Sequence, residues 1–482
     1  MLTFTKAAPE ETGVPSEGII RMINRLQKRR IPMHSLLLMR HDKLIFEGYY
    51  APCRADSLHR MFSISKSITS IAIGLLVDEG RVSLDDPIVR YFPEKVPKNV
   101  HPWIAQMTIR DMLMMRSCHA VTTYKKNMAA DWVESYFTTP PTHPPATLFH
   151  YDTSAPHTLC ALVEKLTGGS MLDYIKKKLD VLGLSPESYM IADPFGVSMG
   201  GSGLVAYSMD MLKFGYFIAH RGNVLGKQLI SPSYIDMAVS MLTETRVTAP
   251  LPSEAQGYGL QIWRNEQNGF VCYGMGGQLI ICLPDYNLIC VTTADTQTVQ
   301  GGNQQIYDAL YEEILPYLQD AAIACDKSGE KALADVCASL AMEPLQGADT
   351  PENIGEIADR TFKVLTPDSD FESFCVHFDL AENKTEQSVG ALSFVHKGTP
   401  YAVRFGMGFM ETGEFPIYEQ RYAASGAWLF DGTLHIKAHI IDAYVGCVQF
   451  QLAFRGDELT IFMSKKEESL FKEFQGHLYC KK

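Results

Sequence analysis

Ser63-Ile64-Ser65-Lys66-Ser67-Ile68-Thr69-Ser70-Ile71-Ala72-Ile73-Gly74-Leu75-Leu76 is the stretch on which the fold turns. Ile68, Ile71, Ala72, Leu75 and Leu76 recur at i, i+3, i+4, i+7 and i+8, which predicts a helix with an apolar face. Ser63 and Lys66 share one face at its first turn. Burial that lowers a Lys pKa leaves a neutral amine able to take a hydroxyl proton, turning a weak nucleophile into a strong one. The positive end of the helix dipole favours negative charge developing there.

The Ser-x-x-Lys spacing recurs at Ser328-Gly329-Glu330-Lys331 and Ser469-Leu470-Phe471-Lys472, so context must select among the three. Ser328 lies in a polar run, and Ser469 in a charged segment between expected strands. Neither is expected on a buried helix that would lower a Lys pKa.

Outward from Ser63, residues 16–29 read as an amphipathic helix. Residues 35–39 and 44–50 flank Arg40-His41-Asp42-Lys43 as a hairpin. Residues 105–240 are mostly helical in pattern. Strand character returns at 258–264, 270–283 and 287–294, followed by a helix at 303–318. Strands that open and close a region filled by helices imply a sheet with an inserted helical lobe. After residue 320 the texture changes. Residues 321–365 read as a helical connector, and from Phe374 strict alternation dominates. Asp431-Gly432 is a hairpin turn signal, and Leu434, Ile436, Ala438 and Ile440 line one strand face. This second region reads as a small antiparallel barrel or sandwich. The expected organisation is a catalytic domain over 1–325, a connector over 326–365 and an all-β domain over 366–482.

Composition excludes several classes. A length of 482 residues suits two or three domains, and 46% hydrophobic against 20% charged residues suits a substantial core. The net charge of −12 argues against a nucleic-acid partner. No apolar run reaches the length of a membrane span. The 11 Cys are scattered without a C-x-x-C pair, and the first residues lack a basic start followed by an apolar block. The expectation is a reduced, cytoplasmic protein with no secretory signal. The His and Cys spacing calls for no metal, and no organic cofactor is expected.

Two further segments bear chemistry. Tyr151-Asp152-Thr153 precedes a helix expected at 155–167 and stopped by Gly168-Gly169. A phenol held by an ammonium loses its proton more readily and can serve as a base. Tyr273-Gly274-Met275-Gly276-Gly277-Gln278 leads into a strand, and its glycines admit another backbone or a ligand.

Together these residues resemble the serine β-lactamase and penicillin-binding-protein family, whose nucleophile motif is S-x-x-K. Tyr151-Asp152-Thr153 is similar to the Y-x-N element of its class C and esterase members. Arg81–Glu94, Met107–Ser117 and Gly200–Gly215 resemble further segments of that family in the same order. Gly257-Tyr-Gly-Leu-Gln-Ile-Trp263 and the Gly-Gly-Gln ending resemble the esterase and 6-aminohexanoate-dimer hydrolase branch. The resemblance implies an α/β (α+β) β-lactamase/transpeptidase-like domain and a serine hydrolase forming an acyl-enzyme on a small ester or amide. It implies Ser63 as nucleophile, with Lys66 and Tyr151 sharing its proton. Backbone N–H groups of Ser63 and Met275, with Gly276 as the neighbouring alternative, would form the oxyanion hole. Thr153, Trp263, Tyr273, Gly274 and Gly276 would line the substrate pocket. Thr153 stands in place of the usual Asn. Tyr273 stands where Lys or His often holds a substrate carboxylate, which favours small-molecule substrates lacking one. A D-amino-acid peptidase or amidase, and a non-catalytic penicillin-binding sensor, are the alternatives. The oligomeric state is open.

Overall fold

The computed structural model describes residues 1–249, 251–348, 351, 354–379 and 388–482, and separates into two compact units. The first holds Met1–Tyr49 and Ala55–Ser339. The second holds Tyr50–Arg54 and Leu340–Lys482. The helix Lys327–Ala338, within the expected connector, falls in the first unit.

The first unit is built on a seven-stranded sheet in the order Thr5–Lys6, Lys43–Tyr49, Met33–Arg40, Leu288–Ala294, Gln278–Leu283, Phe270–Gly274 and Trp263–Arg264. All neighbours run antiparallel except Thr5–Lys6, which pairs parallel to Lys43–Tyr49. Early and late strands meet where Met33–Arg40 pairs with Leu288–Ala294. Between Lys43–Tyr49 and Trp263–Arg264 the chain leaves this sheet, and its regular structure there is mainly helical. Every residue of Met33–Arg40 is buried, as a strand covered on both faces requires. The helix Ser208–Ala219 lies directly on the sheet: a Cβ on Gly215 would stand 2.5 Å from Ile280.

The helix Ile64–Asp78 differs from the one-faced helix its spacing predicts. Every residue from Ile64 to Leu76 is buried. Its hydroxyls are tolerated because each has a partner. Ser65 Oγ donates to Phe62 O at 2.6 Å, Ser67 Oγ to Gln261 O at 2.8 Å, and Thr69 Oγ1 to Gly200 O at 2.9 Å. These polar residues bind the helix to the end of the strand His59–Phe62 and to the segments at Gln261 and Gly200.

The strand expected over 258–264 shrinks to Trp263–Arg264. Gly257 and Gln261 have φ of 110° and 61°, outside strand geometry. Gln261 N donates instead to Leu113 O at 3.0 Å, and Leu260 N to Ala238 O at 3.1 Å. The expected strand 270–283 breaks at Met275-Gly276-Gly277 into a hairpin in which Gly274 pairs with Gln278. Ser328 and Lys331 do lie on a helix, Lys327–Ala338, but both are exposed.

The second unit holds a ten-stranded, mostly antiparallel sheet, in which the first strand in sequence, Phe362–Val364, pairs with the last, Gly476–Lys481. It curls until Thr399–Met407 pairs with Gln420–Trp428, Gly406 opposite Ser425, in the one parallel pairing among its described strands, closing a nine-stranded barrel with Glu411–Phe415 attached outside the ring. Alternate residues fill its interior with Phe374, Phe394, Phe405, Phe450, Trp428 and Leu434. Closure removes the exposed edges of an open sheet.

Candidate active site

The strand His59–Phe62 delivers the chain to the start of the Ile64–Asp78 helix. Phe62 has φ of 46°. That conformation costs a bulky residue on the order of 1–3 kcal/mol and persists only where its surroundings enforce it. Here they do. Phe62 is buried and pairs with Leu204, its carbonyl accepts the Ser65 hydroxyl, and Ser65 Oγ accepts from Leu204 N at 2.9 Å. The kink leaves Ser63 at the helix start, its hydroxyl unused for capping.

Lys66 Nζ donates to Ser63 Oγ at 2.9 Å, to Gly201 O at 2.7 Å and to Thr153 Oγ1 at 3.4 Å. It also lies 4.8 Å from the centroid of the Tyr151 ring. Lys66 is 1% exposed, so these neighbours take the place of water. The arrangement accommodates either protonation state. An ammonium has three N–H donors for three oxygens. A neutral amine donates to Gly201 and Thr153 and offers its lone pair to the Ser63 O–H.

Tyr151 and Thr153 arrive on the segment that enters the helix Ser154–Thr167. Asp152 anchors that segment by accepting from Ser154 N at 2.8 Å and Ala155 N at 2.9 Å. The helix ends at Gly168, with φ of 76°, where the sequence placed its stop. Burial pushes the Tyr151 phenol above its ordinary pKa, while Ser63 and Trp263 both face it and favour its ionised form. The Trp263 indole N–H is buried without a partner among the described residues.

Aromatic rings continue from there. Tyr151 lies 5.3 Å from Trp263 between centroids, and Trp263 lies 6.2 Å from Tyr273. Gly274 closes the group: a Cβ on it would stand 2.4 Å from Met61 O, so this strand end runs against the chain just before Ser63. Met275 and Gly276 follow in the hairpin turn. Ser63, Lys66, Tyr151 and Thr153 therefore come together, with Trp263, Tyr273, Gly274, Met275 and Gly276 on the adjoining side.

Other residues carry weight here that the sequence reading did not single out. Gly201 supplies the carbonyl that holds Lys66; its segment, Gly200–Gly215, was singled out only for its resemblance to the family. Glu254 is buried, with one carboxyl oxygen unpartnered among the described residues. Burial pushes its carboxyl up to about 7, partly offset by the Tyr273 hydroxyl facing it. Nothing in the local sequence around Glu254 distinguishes it from a surface Glu.

The fold agrees with the comparisons. The chain belongs to the Beta-lactamase family: a model of that family matches residues 19–311. Among curated relatives, a 6-aminohexanoate-dimer hydrolase from Paenarthrobacter ureafaciens is 22% identical over 302 residues, covering 56% of this chain and 75% of the relative. Esterase EstB from Burkholderia gladioli is 30% identical over 81 residues, 15% of this chain and 21% of that protein. Among solved structures, a penicillin-binding protein homologue from Caulobacter crescentus superimposes with a TM-score of 0.51 at 15% identity, covering 65% of this chain and all (100%) of that one. The likeness to that structure is one of fold. Among the described residues, no helix is long and apolar enough to cross a membrane.

Proposed function

We propose that this Beta-lactamase-family chain is a serine hydrolase that cleaves small esters or amides through an acyl-enzyme on Ser63. The observation that carries the reading is the contact of 2.9 Å between Lys66 Nζ and Ser63 Oγ in a site where Lys66 is 1% exposed. Neutral Lys66 accepts the Ser63 proton as the oxygen attacks the substrate carbonyl. Tyr151, beside both, passes a proton to the leaving group as the tetrahedral intermediate collapses. Backbone N–H groups of Ser63 and Met275 stabilise the oxyanion. Water then attacks the acyl-enzyme along the reverse proton path.

Tyr273 and Glu254 bear on the substrate. A phenol backed by a buried carboxyl is a poor receptor for an anion, which disfavours carboxylate-bearing β-lactams. Neutral esters and amides fit better, in keeping with the name of the esterase relative. Stopped-flow hydrolysis of p-nitrophenyl acetate beside nitrocefin tests this. The expected result is a burst of nitrophenolate followed by turnover on the ester, with nitrocefin slower. A stoichiometric burst without turnover on any substrate would mark an acylated sensor instead.

A further inference from the structure

The turn after Tyr273 has each of four successive carbonyls held. Gly274 O accepts from Asn303 Nδ2 at 3.3 Å, and Met275 O from Gln278 Nε2 at 2.7 Å. Gly276 O accepts from Thr296 N at 2.9 Å, and Gly277 O from Thr292 Oγ1 at 2.8 Å. A hairpin turn needs no such support, and its own ladder bonds hold Gly274 against Gln278. The first of the four bears on catalysis. A trans peptide points its N–H opposite its C=O. Holding the Gly274 carbonyl toward Asn303 therefore turns the Met275 N–H the other way.

We infer that Asn303 is a positioning residue that aims the Met275 N–H at the substrate oxyanion by gripping the other end of the same peptide. The inference rests on the acyl-enzyme reading above and deepens it. Asn303 stands just before the helix Gln304–Glu313 and is 3% exposed. Its amide orientation is dictated by chemistry. Gly274 O can only accept, so the Asn303 NH2 faces it, and the Asn303 Oδ1 receives Thr296 Oγ1 at 2.7 Å. Thr296 thus fixes the orientation of Asn303, Asn303 fixes the Gly274–Met275 peptide, and the peptide presents its N–H. Gln278, fully buried, ties the next carbonyl to the sheet through Ala294, accepting from Ala294 N at 3.0 Å. An oxyanion donor is effective because it is aimed before charge develops and costs no reorganisation during reaction. Three side chains from three segments serve that requirement here.

Thr296→Val and Thr296→Ser separate this role from a merely structural one, because valine keeps the shape and loses the hydroxyl while serine keeps the hydroxyl. The measurement is the acylation rate constant and the apparent dissociation constant for p-nitrophenyl acetate, with melting temperature alongside, in wild type, Asn303→Ala and both Thr296 variants. Asn303→Ala should acylate about 10- to 100-fold more slowly, approaching the cost of removing a donor outright, with substrate affinity changed less than about threefold. Thr296→Val should be slowed in the same sense and Thr296→Ser should stay close to wild type. Acylation by both Asn303→Ala and Thr296→Val within about twofold of wild type would overturn the assignment, and Thr296→Val alone decides if Asn303→Ala does not fold. A wild-type protein that forms no adduct on Ser63 would overturn the acyl-enzyme reading and this inference with it. An adduct in wild type with unimpaired variants would overturn the inference alone.

Discussion

The Gly201 carbonyl accepts from Lys66 Nζ at 2.7 Å, a shorter contact than the 2.9 Å between Lys66 and Ser63. The residue that orients the Lys is thus a backbone group, on a segment far from the Ser in sequence. Its lack of a side chain matters: a Cβ on Gly201 would stand 2.5 Å from Thr153 Cγ2 and 2.8 Å from Thr153 O.

Gly201→Ala should therefore push the 200–202 segment off the site and draw Lys66 with it. Overpacking of this kind costs about 1–3 kcal/mol in stability. A displacement near 1 Å at a reacting group costs on the order of 10²-fold in rate. Thermal unfolding and ester burst rates on the same preparation should show both losses. Normal acylation in a destabilised variant would show that the Gly201 contact does not orient Lys66.

Lys66→Ala and Tyr151→Phe should each cripple turnover without adding. Both handle the one proton leaving Ser63, so their titration belongs to the pair. The double variant should run about as slowly as the worse single variant. Strictly multiplicative losses in kcat/KM would mean that the two groups act independently.

Glu254 makes stability depend on pH in a defined direction. In the folded chain burial raises its carboxyl from 4.5 to about 7. The folded state then keeps a proton that the unfolded chain loses near 4.5. The contribution to stability is full below that pH and is lost as pH rises through about 7. The total is on the order of 3 kcal/mol for a shift of this size. Glu254→Gln, which cannot ionise, should gain stability relative to wild type across this window. Parallel melting curves from pH 4.5 to 8 that never diverge would remove Glu254 as the source.

Tyr273→Lys alone should not turn the enzyme toward carboxylate-bearing substrates, because the new ammonium would pair with Glu254. With Glu254→Gln alongside, the Lys is left to meet a substrate carboxylate, a charge-assisted bond of about 1.5–3 kcal/mol. The ratio of nitrocefin to ester hydrolysis should rise about tenfold or more in the double variant, and little in the single one. An equal rise in both would place Glu254 out of reach of position 273.

The legible parts of this protein are those written in local periodicity. The apolar spacing after Ser63, the stop at Gly168 and the strict alternation from Leu434 to Ile440 are short-range signals, and the corresponding helix ends and strands lie where they are expected. The segment around Gly259 and Gln261 was misread as strand because its apolar residues are buried by loop packing, which leaves the same trace in composition. The burial of Ser65, Ser67, Thr69 and Ser70 was not legible, because a sequence does not reveal hydrogen-bond partners supplied from elsewhere in the chain. In the site, Ser63, Lys66 and Tyr151 sit in motifs. Glu254 and Asn303 do not, and Gly201 lies in a stretch that was matched with no role for it, since their partners, Tyr273, Gly274 and Lys66, are remote in sequence.

The most direct test of the account is intact-mass spectrometry with peptide mapping after brief exposure to p-nitrophenyl acetate. The account predicts a single acetyl group on the peptide bearing Ser63. In Ser63→Ala the adduct should be absent and ester turnover should fall about 10³-fold or more, in a protein that melts as wild type does. An acetyl group that persists in Ser63→Ala, or turnover that survives the substitution, would contradict it.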